Sequence, residues 1–406
     1  MNACLSCKTY NLVKILDFGK IPISNNFIKV NELKKVKKYQ LGLNFCKKCF
    51  LIQNSKLINN KKIFNKDYLY HSSYSKSWLK HARDLTSFCI KKYKLNKESL
   101  ILEIASNDGY LLKNFKKKNI NTIGVEPSQS VARISKKKGI KTFINFFSTA
   151  FVKKISKKII PDVIIALNVM AHTPKLNDFV NALSMLMNKS NISIIEVPYA
   201  MKLLKRKQID TIYHEHYSYF TVIALQNILI KYSLEIFDIK PIKTHGGSLR
   251  IFIKKNNNSN YRKSFSVSRF LNNEKKIGLQ NLSYYKNFSK EVKNILKNNK
   301  EKVLELCKKN NVLGYGAAAK ATIICNLLNL NARHIKFIVD QNKFKQSRYI
   351  PGTNIQISKY KVIKETNPDY LLIFVWNIKK EIKTLINKTY KKIKFITLDP
   401  NFKIFN

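Results

Sequence analysis

The chain has 406 residues, 45% hydrophobic and 25% charged. That length predicts two to four domains with buried cores, which excludes disorder over most of the chain. The net charge is +52, but lysines lie in every segment rather than in one stripe. The excess therefore reads as solvated helix faces set by composition, and a nucleic-acid-binding surface is the weaker reading. Any ligand attracted by this charge would be phosphorylated.

The start, MNACLSCKTYNLVKILDFG, lacks a basic leader followed by an apolar run. The apolar stretches DVIIALNVMA and YLLIFVW are too short to span a bilayer. Seven cysteines form no even disulfide framework, so a reducing, cytoplasmic setting is expected, with no membrane partner.

The first ~65 residues read as a short, loop-rich module. Cys4-x2-Cys7 and Cys46-x2-Cys49 place two thiolates on each of two turns, the pattern of a closed tetrahedral zinc site. A closed site is structural and keeps no bound catalytic water. The aromatic stretch DYLYHSSYSKSW follows, with Tyr70 and Tyr74 as candidate substrate contacts.

From Ser99 the pattern becomes strand–helix alternation: SLILEIASNDGYLLKNFKKK, NTIGVEPSQSVARISKKKG, PDVIIALNVMAH and NISIIEVPYA. Apolar β-branched runs alternating with helices predict a parallel sheet. LEIASNDGY puts Glu103 at a strand end before a loop with Gly109, and Glu126 of GVEPS ends the next strand. An acid at that second position suits ribose hydroxyls. Glu103 would repel a pyrophosphate and favour a cationic ligand without phosphate, which fits S-adenosylmethionine better than NAD. Asn168 and His172 fall just past a strand's carboxyl end, where ligands of open α/β sheets bind.

YHEHYSYF, at Tyr213–Phe220, puts His214 and His216 in one tripeptide around Glu215. Beyond HGGSLR comes a long polar helical stretch, about residues 266–310, and then a second α/β run. There GYGAAAK ends a strand and opens a helix, whose N-terminus can bind anions.

The ordered set CxxC…CxxC, EIASNDGYLL, GVEPS, NVMAHT, EVPY, YHEHYSYFT, HGGSLR, GYGAAAK and PGT resembles the class I S-adenosylmethionine-dependent sugar C-methyltransferases. The closest type acts at C-3 or C-5 of a nucleotide sugar in deoxysugar pathways. The likeness runs from Cys4 to near the end. It implies an α/β protein of three parts: a zinc-binding domain (1–66), a class I methyltransferase domain with a Rossmann-like fold (67–240) and a second Rossmann-like, substrate-binding domain (241–406). S-adenosylmethionine and structural Zn2+ are the implied cofactors. A nucleoside-diphosphate keto-sugar is the implied partner; the oligomeric state stays open.

Carried over by position, the resemblance assigns Glu103, Ser106, Asn107, Gly109, Glu126 and Asn168 to the donor. It assigns Tyr213, His214, Glu215, His216 and His172 to catalysis, with His216 as base and Glu215 as its orienter or a sugar ligand. Gly314, Gly316, Lys320 and Arg250 become phosphate or nucleobase contacts. Ala105 and Ser347 stand where the family commonly has glycine. His214 and His216, two apart, would point oppositely on a strand, so a loop is expected there. Two other classes remain: a nicotinamide-dependent oxidoreductase using GYGAAA, and a zinc-containing nucleic-acid-binding protein.

Overall fold

A computed structural model describes residues 3–59, 73 and 76–406. The expected boundary at 66/67, with Tyr70 and Tyr74, lies outside the described residues. The N-terminal module is more regular than a loop-rich reading implies. Strands β1 (Leu12–Pro22), β2 (Lys38–Cys46) and β3 (Ile52–Asn54) pair antiparallel. Its core is shared with the rest of the protein: Phe45 packs against Tyr285 with ring centroids 4.3 Å apart.

The central domain begins with the helix Lys76–Tyr93. Five parallel strands follow: β4 (Leu100–Ile104), β5 (Asn121–Val125), β6 (Lys141–Phe143), β7 (Val163–Leu167) and β8 (Ile192–Pro198). Every residue of β7 is buried, as a strand covered on both faces requires. The chain then returns to the N-terminal module. The two-residue strand β9 (Ser218–Tyr219) pairs with β3 and completes the sheet β1-β2-β3-β9.

The hairpin β10 (Leu234–Ile242) and β11 (Ser248–Lys255) joins the central sheet, with β11 antiparallel to β8. The order is β10-β11-β8-β7-β4-β5-β6. By strand pairing, this sheet therefore runs to Lys255, past the boundary expected at 240/241. HGGSLR ends up inside the hairpin because the apolar strand LRIFI needs a partner for its backbone.

The polar stretch resolves into two helices, Phe265–Ile277 and Leu282–Lys309, with Gly278 at φ +81 ending the first. The C-terminal sheet follows: β12 (Val312–Tyr315), β13 (Phe337–Val339), β14 (Gln356–Ser358), β15 (Tyr370–Ile373), β16 (Lys394–Leu398) and β17 (Phe402–Phe405). Its order is β14-β13-β12-β15-β16-β17, parallel except for β17. The N-terminal module also touches this domain, through Thr322 Oγ1 donating to Ser24 O (2.8 Å) and Arg348 donating to Phe27 O (3.1 Å).

Candidate active site and metal centre

The four cysteines of the two CxxC pairs converge. All four Sγ atoms lie within 4.8 Å of one another, with Cys4–Cys49 and Cys7–Cys46 each at 3.5 Å. A zinc ion with bonds of ~2.3 Å needs sulfurs about 3.8 Å apart, so the cage fits. The two turns share one design. Lys8 and Phe50, each just after a pair, adopt φ +63, and their amides donate to Cys4 O and Cys46 O. Cys89, Cys307 and Cys325 lie outside this cluster.

A cavity of about 660 Å3 opens where the three domains meet. One wall is the carboxyl edge of the central sheet. Glu126 accepts from Asn107 N (3.0 Å) and Ser128 N (2.8 Å), and burial pushes its carboxyl up to about 7. Both carboxylate oxygens keep lone pairs for further donors. Asn168, at φ +54 just past β7, has neither side-chain polar atom paired among the described residues. Asn107, Glu126 and Asn168 all line the cavity.

Glu103, Ser106 and Gly109 lie behind this wall rather than on it. Both Glu103 oxygens are buried without a hydrogen-bond partner among the described residues. Burial, then Asp108 and Glu126, push its carboxyl well above the usual range. Gly109 serves packing: at φ +74, a Cβ there would meet Ile140 Cδ1 at 2.5 Å. A buried amide left unpaired on the cavity wall is costly, and a ligand bearing ribose hydroxyls and an ammonium group fits the chemistry of Asn168 and Glu126.

The second wall comes from the YHEH segment, which is a loop as expected. His216 N donates to Tyr213 O (3.0 Å), closing a turn. That turn brings Tyr213 and His216 to the same side. Tyr213 Oη lies 2.8 Å from His216 Nε2, and His216 Nδ1 lies 3.0 Å from Thr211 O. Since a carbonyl only accepts, Nδ1 carries the proton and Nε2 accepts from the tyrosine. His172 completes the group, with its ring 4.8 Å from that of His216. Its Nδ1 donates to Glu215 O (2.8 Å), and burial holds its pKa down to about 4, so it is neutral at pH 7.

Two expectations fail here. Glu215 and His214 do not line the cavity. Glu215 turns to the N-terminal module, where Asn25 N and Nδ2 donate to its Oε1 (3.0 and 3.1 Å). The group that orients His216 is the Thr211 carbonyl, not Glu215. His214 Nε2 lies 3.2 Å from Tyr39 O, buried under β2.

The third wall belongs to the C-terminal domain. Ala318, Ala319 and Lys320 face the cavity at the start of the helix Ala319–Leu327, with Lys345 nearby. Lys320 is already engaged, 3.1 Å from Asp210 and 3.7 Å from the Trp376 ring centroid. Gly314 and Gly316 are set back from the cavity. At φ +91, Gly316 packs so close to Val375 that a Cβ would meet its Cγ2 at 2.5 Å, so these glycines serve strand packing.

Arg250 does not line the cavity either. In β11 it faces Glu196 of β8, with Nε and Nη2 2.8 and 2.7 Å from Glu196 Oε1. His81 takes the other side of this buried carboxylate at 2.8 Å. His81 in turn stacks on Trp78, which lines the cavity.

Sequence reasoning missed Asn25, Trp78, Tyr219 and Lys345, all on the cavity wall. Asn25 and Lys345 carry no local signal. Tyr219 sat in the quoted motif, and only its position beside His216, 5.9 Å between rings, singles it out.

Family models match in order along the chain: a zinc binding domain over residues 4–64, a methyltransferase domain over 75–238 and a C-methyltransferase C-terminal domain over 243–400. A curated relative, C-methyltransferase NovU from Streptomyces niveus, is 26% identical over 94% of this chain and 91% of its own. Among solved structures, an S-adenosylmethionine-dependent methyltransferase from Clostridium acetobutylicum overlays at TM-score 0.35 and 15% identity, covering 44% of this chain and 92% of its own. Magnesium protoporphyrin IX methyltransferase from Synechocystis overlays at 0.33 and 13%, covering 43% and 77%. These two overlaps are too loose to bear on function. No described helix is long and apolar enough to cross a membrane. The three domains in order, the four-cysteine cage and the full-length relative place the chain in the S-adenosylmethionine-dependent C-methyltransferase family that carries an N-terminal zinc-binding domain.

Proposed function

We propose that the carbon methylated belongs to a nucleoside-diphosphate 4-keto-deoxysugar. One observation carries this reading. A single cavity joins the wall of Asn107, Glu126 and Asn168, the Tyr213–His216 pair with His172, and a cationic end with Lys320, Lys345 and a helix N-terminus. The helix terminus and lysines suit a diphosphate. When bound, S-adenosylmethionine supplies an electrophilic methyl group.

The protein's task is to make a carbon nucleophile. A ketone acidifies the adjacent C–H, and a base near neutrality can remove that proton. His216 is the base: its Nδ1–H is held by Thr211 O, which leaves Nε2 as the accepting nitrogen. Tyr213 holds Nε2 until substrate displaces or uses its hydroxyl. Neutral His172 offers its ring as a polar contact beside the reacting carbon. Asn107, Glu126 and Asn168 hold the donor.

The test is incubation with labelled donor and a panel of 4-keto-6-deoxy nucleotide sugars, followed by locating the new methyl group. Label on carbon α to the ketone supports the reading. Label on oxygen or nitrogen refutes it, as does full turnover by folded His216→Asn.

A further inference from the structure

The catalytic segment is built largely on the metal module. Asn54 of β3 is fully buried; its Nδ2 donates to Tyr213 O (3.2 Å) and its backbone N to Tyr217 O (3.0 Å). Tyr39 O of β2 takes His214, and Asn25 takes Glu215. Tyr217 Oη donates to Ile58 O. Strand β9 itself exists only by pairing Ser218 and Tyr219 with Gln53 and Ile52.

The same strand also contacts the metal cage. Gln53 is fully buried; its Oε1 accepts from Leu5 N (2.8 Å), inside the first cysteine turn. Cys46 N donates to Leu51 O (2.9 Å), tying the second turn to the residue before β3. Both cysteine turns also dock on the central domain: Asn177 Nδ2 donates to Ser6 O (2.9 Å) and Asn227 Nδ2 to Cys49 O (3.3 Å). The donor wall depends on different bonds. Asn107 N goes to Glu126, Ser106 N to Val125 O, and Asn168 N to Glu196 O, all within the central domain.

We propose that the zinc-binding module is a positioning element for the segment Tyr213–Tyr219. Gln53 and Asn54 transmit the order of the metal cage to Tyr213 and His216, while donor binding stays independent of it. This rests on the reading of His216 and Tyr213 given above. The physical basis is that structural zinc supplies folding free energy to its own module, so metal loss loosens what that module holds.

The experiment is amide hydrogen exchange on the full chain, zinc-loaded and after chelation, with S-adenosylhomocysteine affinity measured on both samples. Metal removal is expected to speed exchange in peptides covering 211–220 by at least roughly tenfold, with peptides covering 100–126 and 163–168 little changed and affinity held within about threefold. Unchanged exchange at 211–220, or loss of S-adenosylhomocysteine binding in parallel, overturns the proposal. Asn54→Leu, which keeps all four cysteines, is the second arm. It should hold full zinc, loosen 211–220 and lower kcat without raising the donor KM. Wild-type exchange at 211–220 in zinc-loaded Asn54→Leu overturns the proposal even if the metal-free protein fails to fold. The exchange readout needs no substrate, so it stands apart from failure of the keto-sugar assay.

Discussion

Tyr213 Oη lies 2.8 Å from His216 Nε2, and their rings are 4.0 Å apart. The tyrosine therefore occupies the lone pair that the base would use. Two roles follow for it: orienting the imidazole before substrate arrives, and relaying the proton afterwards. Tyr213→Phe keeps the ring packing and removes the hydroxyl. We expect it to lower kcat by on the order of tenfold or more, whereas His216→Asn, losing the base, loses about 10²–10⁴-fold. Exchange of the substrate α-proton into D2O without donor is the measurement. Equal exchange by all three proteins would remove both residues from proton transfer.

Arg250 and Glu196 yield a stability prediction instead of a binding one. Glu196 is fully buried; Arg250 is its charged partner and His81 lies within hydrogen-bond distance of it. Arg250→Met fills the space but removes the only Arg or Lys among the described residues paired with this buried carboxylate, leaving it His81 alone and costing about 3–5 kcal/mol. Urea unfolding should show this, with nucleotide-sugar KM little changed in protein that stays folded. A raised KM at unaltered stability would return Arg250 to the substrate site.

The contrast between these pairs shows what could be read from sequence. Cys4, Cys7, Cys46 and Cys49 were legible because CxxC spacing encodes the metal geometry locally. Glu126, Asn168 and His172 were legible because parallel-sheet strand ends face the ligand side. Arg250 was misread because its partner, Glu196, is distant in sequence and its burial is set by sheet register. Asn25 reaches Glu215 across the fold and has no pattern of its own. A two-residue strand such as β9 offers no periodicity to detect, so the join between metal module and YHEH loop appears only in three dimensions.

Ala105 and Ser347, where the family resemblance leads one to expect glycine, both adopt left-handed backbone, at φ +56 and +64. Non-glycine residues bear a cost of roughly 1–2 kcal/mol there. Part of it is offset because glycine makes the unfolded chain more flexible. Ala105→Gly and Ser347→Gly should each raise unfolding free energy by up to about 1 kcal/mol. Ala105 lines the cavity, so donor affinity in Ala105→Gly should also be tracked. Lower urea midpoints for both variants would show that the loops have relaxed around the larger side chains.

The proposed role of Glu126 as a ribose ligand predicts that donor binding depends on pH. Burial lifts its carboxyl from 4.5 to about 7, partly opposed by the amides of Ser128 and Asn107. A folded-state pKa raised above the unfolded value gives a stability contribution complete below about 4.5 and lost as pH rises toward 7. The ligand-free protein is thus penalised by Glu126 above neutrality. Ribose hydroxyls donate best to the ionised form, so donor binding has the opposite slope. S-adenosylhomocysteine affinity should increase from pH 6 to pH 8, and the slope should vanish in Glu126→Gln, whose affinity stays low throughout. Calorimetry at both pH values provides the check. A pH slope that survives in Glu126→Gln would place the titrating group elsewhere in the cavity.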